Sequence, residues 1–335
     1  KGDILKSLIR NELFCGIRNL VREGHISLSD IDKIVIAGNT TMIHLLMGYP
    51  CESLGTYPFT PYKRGFICSG SDELFGIPEK IPVIMLPAVS AFVGGDITAG
   101  LLACGFDNTE KPCLFIDLGT NGELALGNKD RILVTSASAG PAFEGGNISC
   151  GVGSIPGAIC HVSISDGKIS YETINGLSPT GLCGTGVIEL VSQLLKEGII
   201  DHTGLFIDDY FDKGFCIDGI RFIQEDIRSL QLAKAAIRAG IEILLKNYGI
   251  SYEGLDRVYI GGGFGYYLDI NKAADIGLLP RDITGKTKAA GNTALAGAVL
   301  ASTDFRTKDR MEHIISVSKE IHLSDDTDFN DLFIK

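Results

Sequence analysis

The stretch from Cys113 to Gly127, Cys-Leu-Phe-Ile-Asp-Leu-Gly-Thr-Asn-Gly-Glu-Leu-Ala-Leu-Gly, narrows the choice of folds more than any other part of the chain. An apolar run stops at Asp117, the backbone reverses through residues 118–122, and a second run leads to Asn128-Lys-Asp130 and a third, Arg131-Ile-Leu-Val134. That pattern predicts a three-stranded meander whose first turn is rich in Gly and Thr. A strand-end carboxylate beside exposed backbone N–H groups suits nucleotide phosphates and, through Asp117, a hydrated Mg²⁺. So short a string also suits an ordinary hairpin turn.

Strand and helix alternate on both sides of this unit, which favours an α/β fold. Residues 3–23 place Ile4, Leu5, Leu8, Ile9, Leu13, Ile17, Leu20 and Val21 at helical spacing, an amphipathic helix that needs a partner surface. Lys33–Gly38 reads as a strand, and Asn39-Thr-Thr41 as a capping turn into a helix from Met42 to Met47. Residues 49–80 read as a long loop with a short helix near Glu73, followed by a strand at Pro82–Leu86 and a Gly- and Ala-rich helix over 90–104. Strands near 158–165 and 168–173 flank Ser165-Asp-Gly167, a hairpin signal, and look like an insertion. Helices follow over Gly184–Lys196 and Asp226–Asn247, with Asp226 as a cap. A strand, Asp256–Ile260, then runs into Gly261-Gly-Gly-Phe-Gly265, and Gly291–Ala298 opens a small-residue helix.

Three of these segments strengthen the phosphate reading of the Asp117 turn. Gly184, Thr185 and Gly186 sit where a loop enters a helix, where free N–H groups and the dipole favour an anion. Gly261, Gly262, Gly263 and Phe264 end a strand with backbone that a ring or ribose can approach closely. The helix after Gly291 is the third. Glu144, in Pro141-Ala-Phe-Glu144, suits a carboxylate near phosphates or a helix-start acid. Gly38, Asn39, Thr40 and Thr41 either line a cleft between two lobes or cap a helix. Cys183 suits a small residue in a tight turn, and Tyr266 and Tyr267 suit packing. Neither a Gly-Lys-Ser/Thr phosphate loop nor a Gly-x-Ser-x-Gly nucleophile elbow occurs.

Charge and cysteine spacing exclude other classes. A formal net charge of −11 argues against a nucleic-acid partner. No apolar run reaches the roughly 18 residues of a membrane helix, and Lys-Gly-Asp-Ile at the start has no signal-peptide pattern, so a cytoplasmic protein is expected. The nine cysteines form no Cys-x-x-Cys pair and read as reduced thiols rather than metal ligands. With 335 residues the chain has room for two packed domains.

Taken in order, Asp117-Leu-Gly-Thr, Gly184-Thr-Gly, Gly261-Gly-Gly and the Gly291 helix resemble the motifs of the actin, sugar-kinase and heat-shock ATPase superfamily. More closely, five segments resemble the ATPase part of reductive activators of corrinoid proteins: Ala37–Met42, Asp117–Glu123, Ala139–Gly145, Leu230–Arg238 and Gly261–Leu268. The resemblance implies a two-lobed, ribonuclease H-like α/β fold. Residues 1–111 would be the remainder of a first lobe incomplete at its N-terminal side, and 112–335 a second lobe with the hairpin insertion. It implies ATP and Mg²⁺ as ligands, with Asp117 and Glu144 in catalytic positions. Gly119, Thr120, Asn121, Gly122, Gly184, Thr185 and Gly186 would lie on the phosphates, Gly261–Phe264 on the adenosine, and Lys234 nearby. A two-iron two-sulfur cluster is implied only in an N-terminal ferredoxin-like domain beyond this chain, which lacks an initiating Met and reads as a fragment. The implied partner is a corrinoid protein whose Co(II) is returned to Co(I), and a homodimer stays open. A small-molecule kinase, a dehydratase activator and a non-enzymatic actin-like docking module are the alternatives on the same fold.

Overall fold

The computed structural model describes residues 2–165, 167–265 and 267–334, without the side chains of Asp208 and Phe264. Elements are numbered in chain order. The first stretch contains α1 (Gly2–Glu23), β1 (Ile34–Ile36), α2 (Thr40–Met47), β2 (Ile67–Gly70), α3 (Ser71–Phe75), β3 (Pro82–Met85) and α4 (Gly95–Ala103). The meander follows as β4 (Cys113–Leu118), β5 (Gly122–Asn128) and β6 (Arg131–Ala137). Next come β7 (Ala158–Ser165), β8 (Lys168–Thr173), β9 (Gly181–Leu182), α5 (Gly184–Lys196), α6 (Asp208–Phe211), β10 (Phe215–Ile217), β11 (Ile220–Phe222) and α7 (Gln224–Tyr248). The chain continues with β12 (Arg257–Gly261), α8 (Gly262–Gly265), α9 (Ile270–Asp275) and β13 (Thr287–Gly291). It closes with α10 (Thr293–Thr303), α11 (Thr307–Val317), β14 (Ser318–Glu320) and α12 (Phe329–Ile334).

Two compact units form, and no single cut in the sequence separates them. One holds residues 1–110, 128–132 and 292–320, and the other holds 111–127, 133–291 and 321–335. Residues 292–320, assigned from sequence to the second lobe, therefore cluster with the first. Small residues explain this. A Cβ on Gly297 of α10 would fall 2.2 Å from the carbonyl oxygen of Ala99, so α10 lies backbone to backbone on α4. Arg310 of α11 adds a paired contact, its Nε and Nη2 donating to Asp107 at 2.6 and 3.1 Å.

Within the first unit, β1 runs parallel to β3 and β2 antiparallel to it. Ile43, Leu46, Ile67, Leu74, Val83 and Met85 make the core, with Ile9 and Leu13 of α1 packed on its edge. No residue of α1 is fully buried. Arg10 anchors it by donating to the carbonyls of Leu46 and Glu73 at 2.9 and 3.1 Å. The strand β2 falls in what the sequence predicts as loop, because Gly, Pro and aromatic residues around it hide a four-residue apolar signal. His44 is fully buried on α2. Its Nδ1 meets the Thr40 carbonyl at 2.7 Å, and its Nε2 accepts from the Tyr62 N–H at 3.1 Å.

In the second unit five strands lie in the order β13-β12-β4-β5-β6, with β12 parallel to β4 and to β13 and β5 antiparallel to β4. A separate sheet has the order β8-β7-β9, and β10 and β11 form a hairpin. The core joins Leu114, Ile116 and Leu124 of the meander to Leu230, Ile237 and Ile241 of α7. The helix α7 starts two residues before Asp226, whose buried carboxylate reaches back to the Ile223 N–H at 2.8 Å. It also accepts from the Ser149 N–H and hydroxyl at 2.5 and 2.7 Å, tying the helix start to the loop after the meander. The hairpin turn at Asp166 lies outside the described residues.

Two outcomes test this packing. Gly297→Ala should lower the unfolding free energy by about 1–3 kcal/mol through overpacking against α4. Gly285→Ala, where nothing lies within 4 Å, should cost far less, as urea denaturation would show. Burial holds the His44 imidazole below its ordinary value. The unfolded chain then takes up the proton first, so stability is full above about pH 6.5 and falls as the pH drops below it. That acid-side loss should be shallower in His44→Gln, measured by denaturation at a series of pH values.

Candidate functional site

The parallel pairing of β12 with β4 decides where the chemistry-bearing residues meet. Gly261 stands opposite Asp117, so the glycines that end β12 run alongside the carboxylate that ends β4. Gly262 has φ +86°, and a Cβ there would come within 2.7 Å of Asp117 Oδ1. Only glycine gives both the left-handed backbone and the close approach. Across the meander turn, Leu118 pairs with Gly122 and the Gly119 N–H bonds the Asn121 carbonyl at 3.0 Å. The backbone N–H groups of Thr120 and Asn121, both exposed, have no partner among the described residues. Thr120 Oγ1 donates to the carboxylate of Glu144, which ends the one-turn 3₁₀ helix Pro141–Glu144.

Beside this turn lies a cavity of about 630 Å³, within the range of small-molecule sites. Leu118, Phe143 and Glu144 line it near the meander turn, and Cys183, Thr185 and Gly263 line it from α5 and α8. Gly153, Ser154, Cys160, His161, Glu172 and Ile174 complete the wall. Tyr267, exposed, lines it too, although the sequence suggests packing; Tyr266 lies outside the described residues.

The other expected residues divide. Gly184 opens α5, buried, behind Cys183 and Thr185. Gly186 is a packing glycine, since a Cβ there would fall 2.1 Å from the Ile159 carbonyl oxygen. Cys183 fills the turn before α5, its Sγ 3.3 Å from the Ile159 carbonyl and 3.1 Å from the Thr185 hydroxyl. Phe264 lies in α8, but its side chain is outside the description. Lys234 is not in the cavity wall. Its Nζ donates to the Ile276 carbonyl at 2.7 Å, capping the C-terminal end of α9, and burial lowers its pKa. Spacing along α7 places Lys234 on a face toward α9, which the sequence does not show.

Gly38, Asn39, Thr40 and Thr41 belong to the first unit. Asn39 caps α2 by accepting from the Met42 N–H at 2.8 Å, Thr40 is buried with its hydroxyl on the Ser90 carbonyl at 2.7 Å, and Thr41 is exposed. Gly38 and Thr40 border a void of about 10 Å³, room for no more than a water. The capping reading of this segment is therefore directly visible.

One support of the cavity wall has no clear sequence signal. Glu189 of α5, 2 % exposed, accepts from the Lys272 ammonium at 2.5 Å, the Val162 N–H at 3.0 Å and the ring Nδ1 of His161 at 2.9 Å. This buried cluster pins α5, β7 and α9 together. The only hint of the rest of the wall is the glycine-rich run Gly151-Val-Gly-Ser-Ile-Pro-Gly157. Among the described residues the nine cysteines form no disulfide. Burial, with Asp226 nearby, pushes Cys150 up to about 12, and burial also raises Cys160, which keeps both protonated.

As a donor set the site fits a nucleotide polyphosphate with a divalent cation. The Thr120 and Asn121 amides suit phosphate oxygens, and the carboxylates of Asp117 and Glu144 suit a hard, hydrated cation.

Both parts of the chain match known protein families. Residues 1–109 match the family described as "RACo middle region", and residues 111–335 the one described as "C-terminal domain of RACo the ASKHA domain". The "Corrinoid activation enzyme RamQ" of Eubacterium limosum is 35 % identical over 95 % of this chain and 58 % of that protein. The "[Co(II) methylated amine-specific corrinoid protein] reductase" of Methanosarcina barkeri is 30 % identical over 91 % of this chain and 61 % of that protein. A solved structure titled "Reductive activator for corrinoid,iron-sulfur protein" superposes with a TM-score of 0.89 at 36 % identity, covering 99 % of this chain and 56 % of its own. The chain thus spans less than two thirds of the length of these relatives.

Gly262→Ala should destabilise the protein by about 1–2 kcal/mol from its backbone alone, while Gly263→Ala, with nothing within 4 Å, should be close to neutral. Urea denaturation of the two variants side by side checks this.

Proposed function

The chain belongs to the RACo family and carries its ASKHA, actin-like ATPase, fold, and on that premise we propose that it is the ATP-binding part of a reductive activator of corrinoid proteins. In this reading Mg-ATP is bound and hydrolysed to drive the return of an inactivated corrinoid from Co(II) to Co(I). The reduction is uphill from the donor, so it proceeds only if nucleotide state changes the relative stability of the complexes. The electrons would come from a two-iron two-sulfur cluster on a ferredoxin-like domain outside these 335 residues.

A single observation carries the proposal: Leu118, next to Asp117, and Glu144, Thr185 and Gly263, far apart in sequence, line one cavity of about 630 Å³. The Thr120 and Asn121 amides would hold phosphate oxygens. Asp117 would orient the hydrated Mg²⁺, which supplies charge neutralisation at the phosphates. Glu144, held in place by the Thr120 hydroxyl, would position and polarise the attacking water. No helix among the described residues is long and apolar enough to cross a membrane.

Calorimetric titration of Mg-ATP and Mg-ADP into this chain should show binding that Asp117→Ala weakens at least about tenfold. Equal affinity in the two proteins would remove Asp117 from the site and with it this assignment. Addition of a Co(II) corrinoid protein should give a complex whose stability depends on the nucleotide, read by size-exclusion chromatography with and without Mg-ATP.

A further inference from the structure

The part of the cavity wall left unused above is the hairpin of β7 and β8. His161 and Glu172 stand directly opposite each other in its antiparallel register, just after a bulge that takes up Cys160. Residues paired in this way project from the same face of the sheet, with Cβ atoms about 5 Å apart. Both side chains line the cavity.

The orientation of the ring follows from its support. The buried Glu189 carboxylate accepts from the Lys272 ammonium at 2.5 Å. His161 Nδ1, 2.9 Å away, must then carry the proton and donate it. In the neutral ring this leaves Nε2 as an acceptor, and it has no partner among the described residues. The Glu172 carboxylate likewise makes no hydrogen bond to a described side chain or N–H; only its backbone carbonyl is used, by Cys160 Sγ. Two acceptors therefore stand side by side on a cavity wall with no donor supplied by the protein.

Their chemistry discriminates between the parts of a nucleotide. An adenine edge offers a single amino donor flanked by ring nitrogens that accept, and two acceptors would repel those nitrogens. A ribose offers two adjacent hydroxyls that rotate to donate, which a carboxylate and an imidazole nitrogen take together. In the proposed reading the phosphate groups lie at the turn beside Asp117 and Glu144. The apolar surfaces of Phe143, Ile174 and Tyr267 remain for the base.

We propose that His161 and Glu172 read the 2′ and 3′ hydroxyls of the bound nucleotide and make the site selective for ribonucleotides, with Glu189 and Lys272 as positioning residues that fix the His161 ring. This rests on the nucleotide reading of the cavity and deepens it.

The test is calorimetric titration of the chain with the Mg²⁺ complexes of ATP, 2′-deoxy-ATP, 3′-deoxy-ATP and inosine triphosphate, in the unaltered protein and in Glu172→Ala, Glu172→Gln and His161→Phe. Loss of a hydrogen bond to a charged or unshared acceptor predicts about tenfold weaker binding for each deoxynucleotide than for ATP. That ratio should fall toward one in Glu172→Ala and His161→Phe and stay intermediate in Glu172→Gln, which keeps one acceptor. Both positions are partly open to solvent, and unchanged thermal unfolding would show that the variants fold. Equal binding of ATP and the deoxynucleotides by the unaltered protein would overturn the proposal while leaving the nucleotide site standing. A ratio that survives both Glu172→Ala and His161→Phe would also overturn it, as would a Glu172 effect confined to inosine triphosphate, which would place the pair on the base. Absence of binding by every nucleotide would sink the nucleotide reading and the proposal together.

Discussion

Everything in the second unit depends on the parallel hydrogen bonding of β12 to β4. The two strands are separated by more than a hundred residues, yet their register sets Gly261 against Asp117 and so brings the triple glycine to the meander turn. A slip of one residue would turn each side chain of β12 to the other face and drive a bulky neighbour into the carboxylate. The left-handed backbone of Gly262 completes the junction, because the chain must leave β12 sharply without placing a Cβ against Asp117 Oδ1. The adjoining strand β13 pairs along the other edge of β12, and Val258 and Ile260 of β12 share one apolar core with α7.

A second constraint is electrostatic. Burying Glu189 costs several kcal/mol unless its charge is met, and here the ammonium of Lys272, the Val162 N–H and the His161 ring share it. The cluster joins α5, β7 and α9 and holds His161, part of the cavity wall, in place. The first unit makes a different choice with His44, which is kept neutral between a carbonyl acceptor and a backbone donor. Asp96, on the first turn of α4, is the contrasting case. Burial raises its pKa, and only backbone N–H groups oppose the shift. A carboxylate kept at such a cost sits where groups of chemical use are often found.

Much of this could be read directly from local patterns. The apolar runs of β4, β5 and β6, the hairpin strands β7 and β8, and the helices α5 and α7 fall close to where periodicity and glycine punctuation place them. Short strands such as β2, β9 and β13 could not be read, because two to five residues among glycines give no period to detect. Site residues divide by the same rule. Glu144, Thr185 and Gly263 sit in glycine-marked segments and line the cavity, whereas His161 and Glu172 lie on strands whose pattern reads only as a hairpin insertion. Lys234, a basic residue in a family-like segment, donates its Nζ to the Ile276 carbonyl and is not part of that cavity wall.

By itself the sequence determined the fold family, the strand-and-turn character of residues 113–134, and the identity of Asp117 as the strand-end carboxylate. These are local properties, written in hydrophobic period, in the φ that glycine permits and in the position of one acid. Tertiary structure alone decided which glycines serve packing, as at Gly186 and Gly297, and which line the cavity, as at Gly263. It also decided that residues 292–320 cluster with the first unit and that a hairpin forms one wall of the cavity. The physical reason is that these outcomes rest on contacts between residues distant in sequence, where a backbone approach of 2 to 3 Å or a shared buried charge selects the partner, and no single segment carries that information.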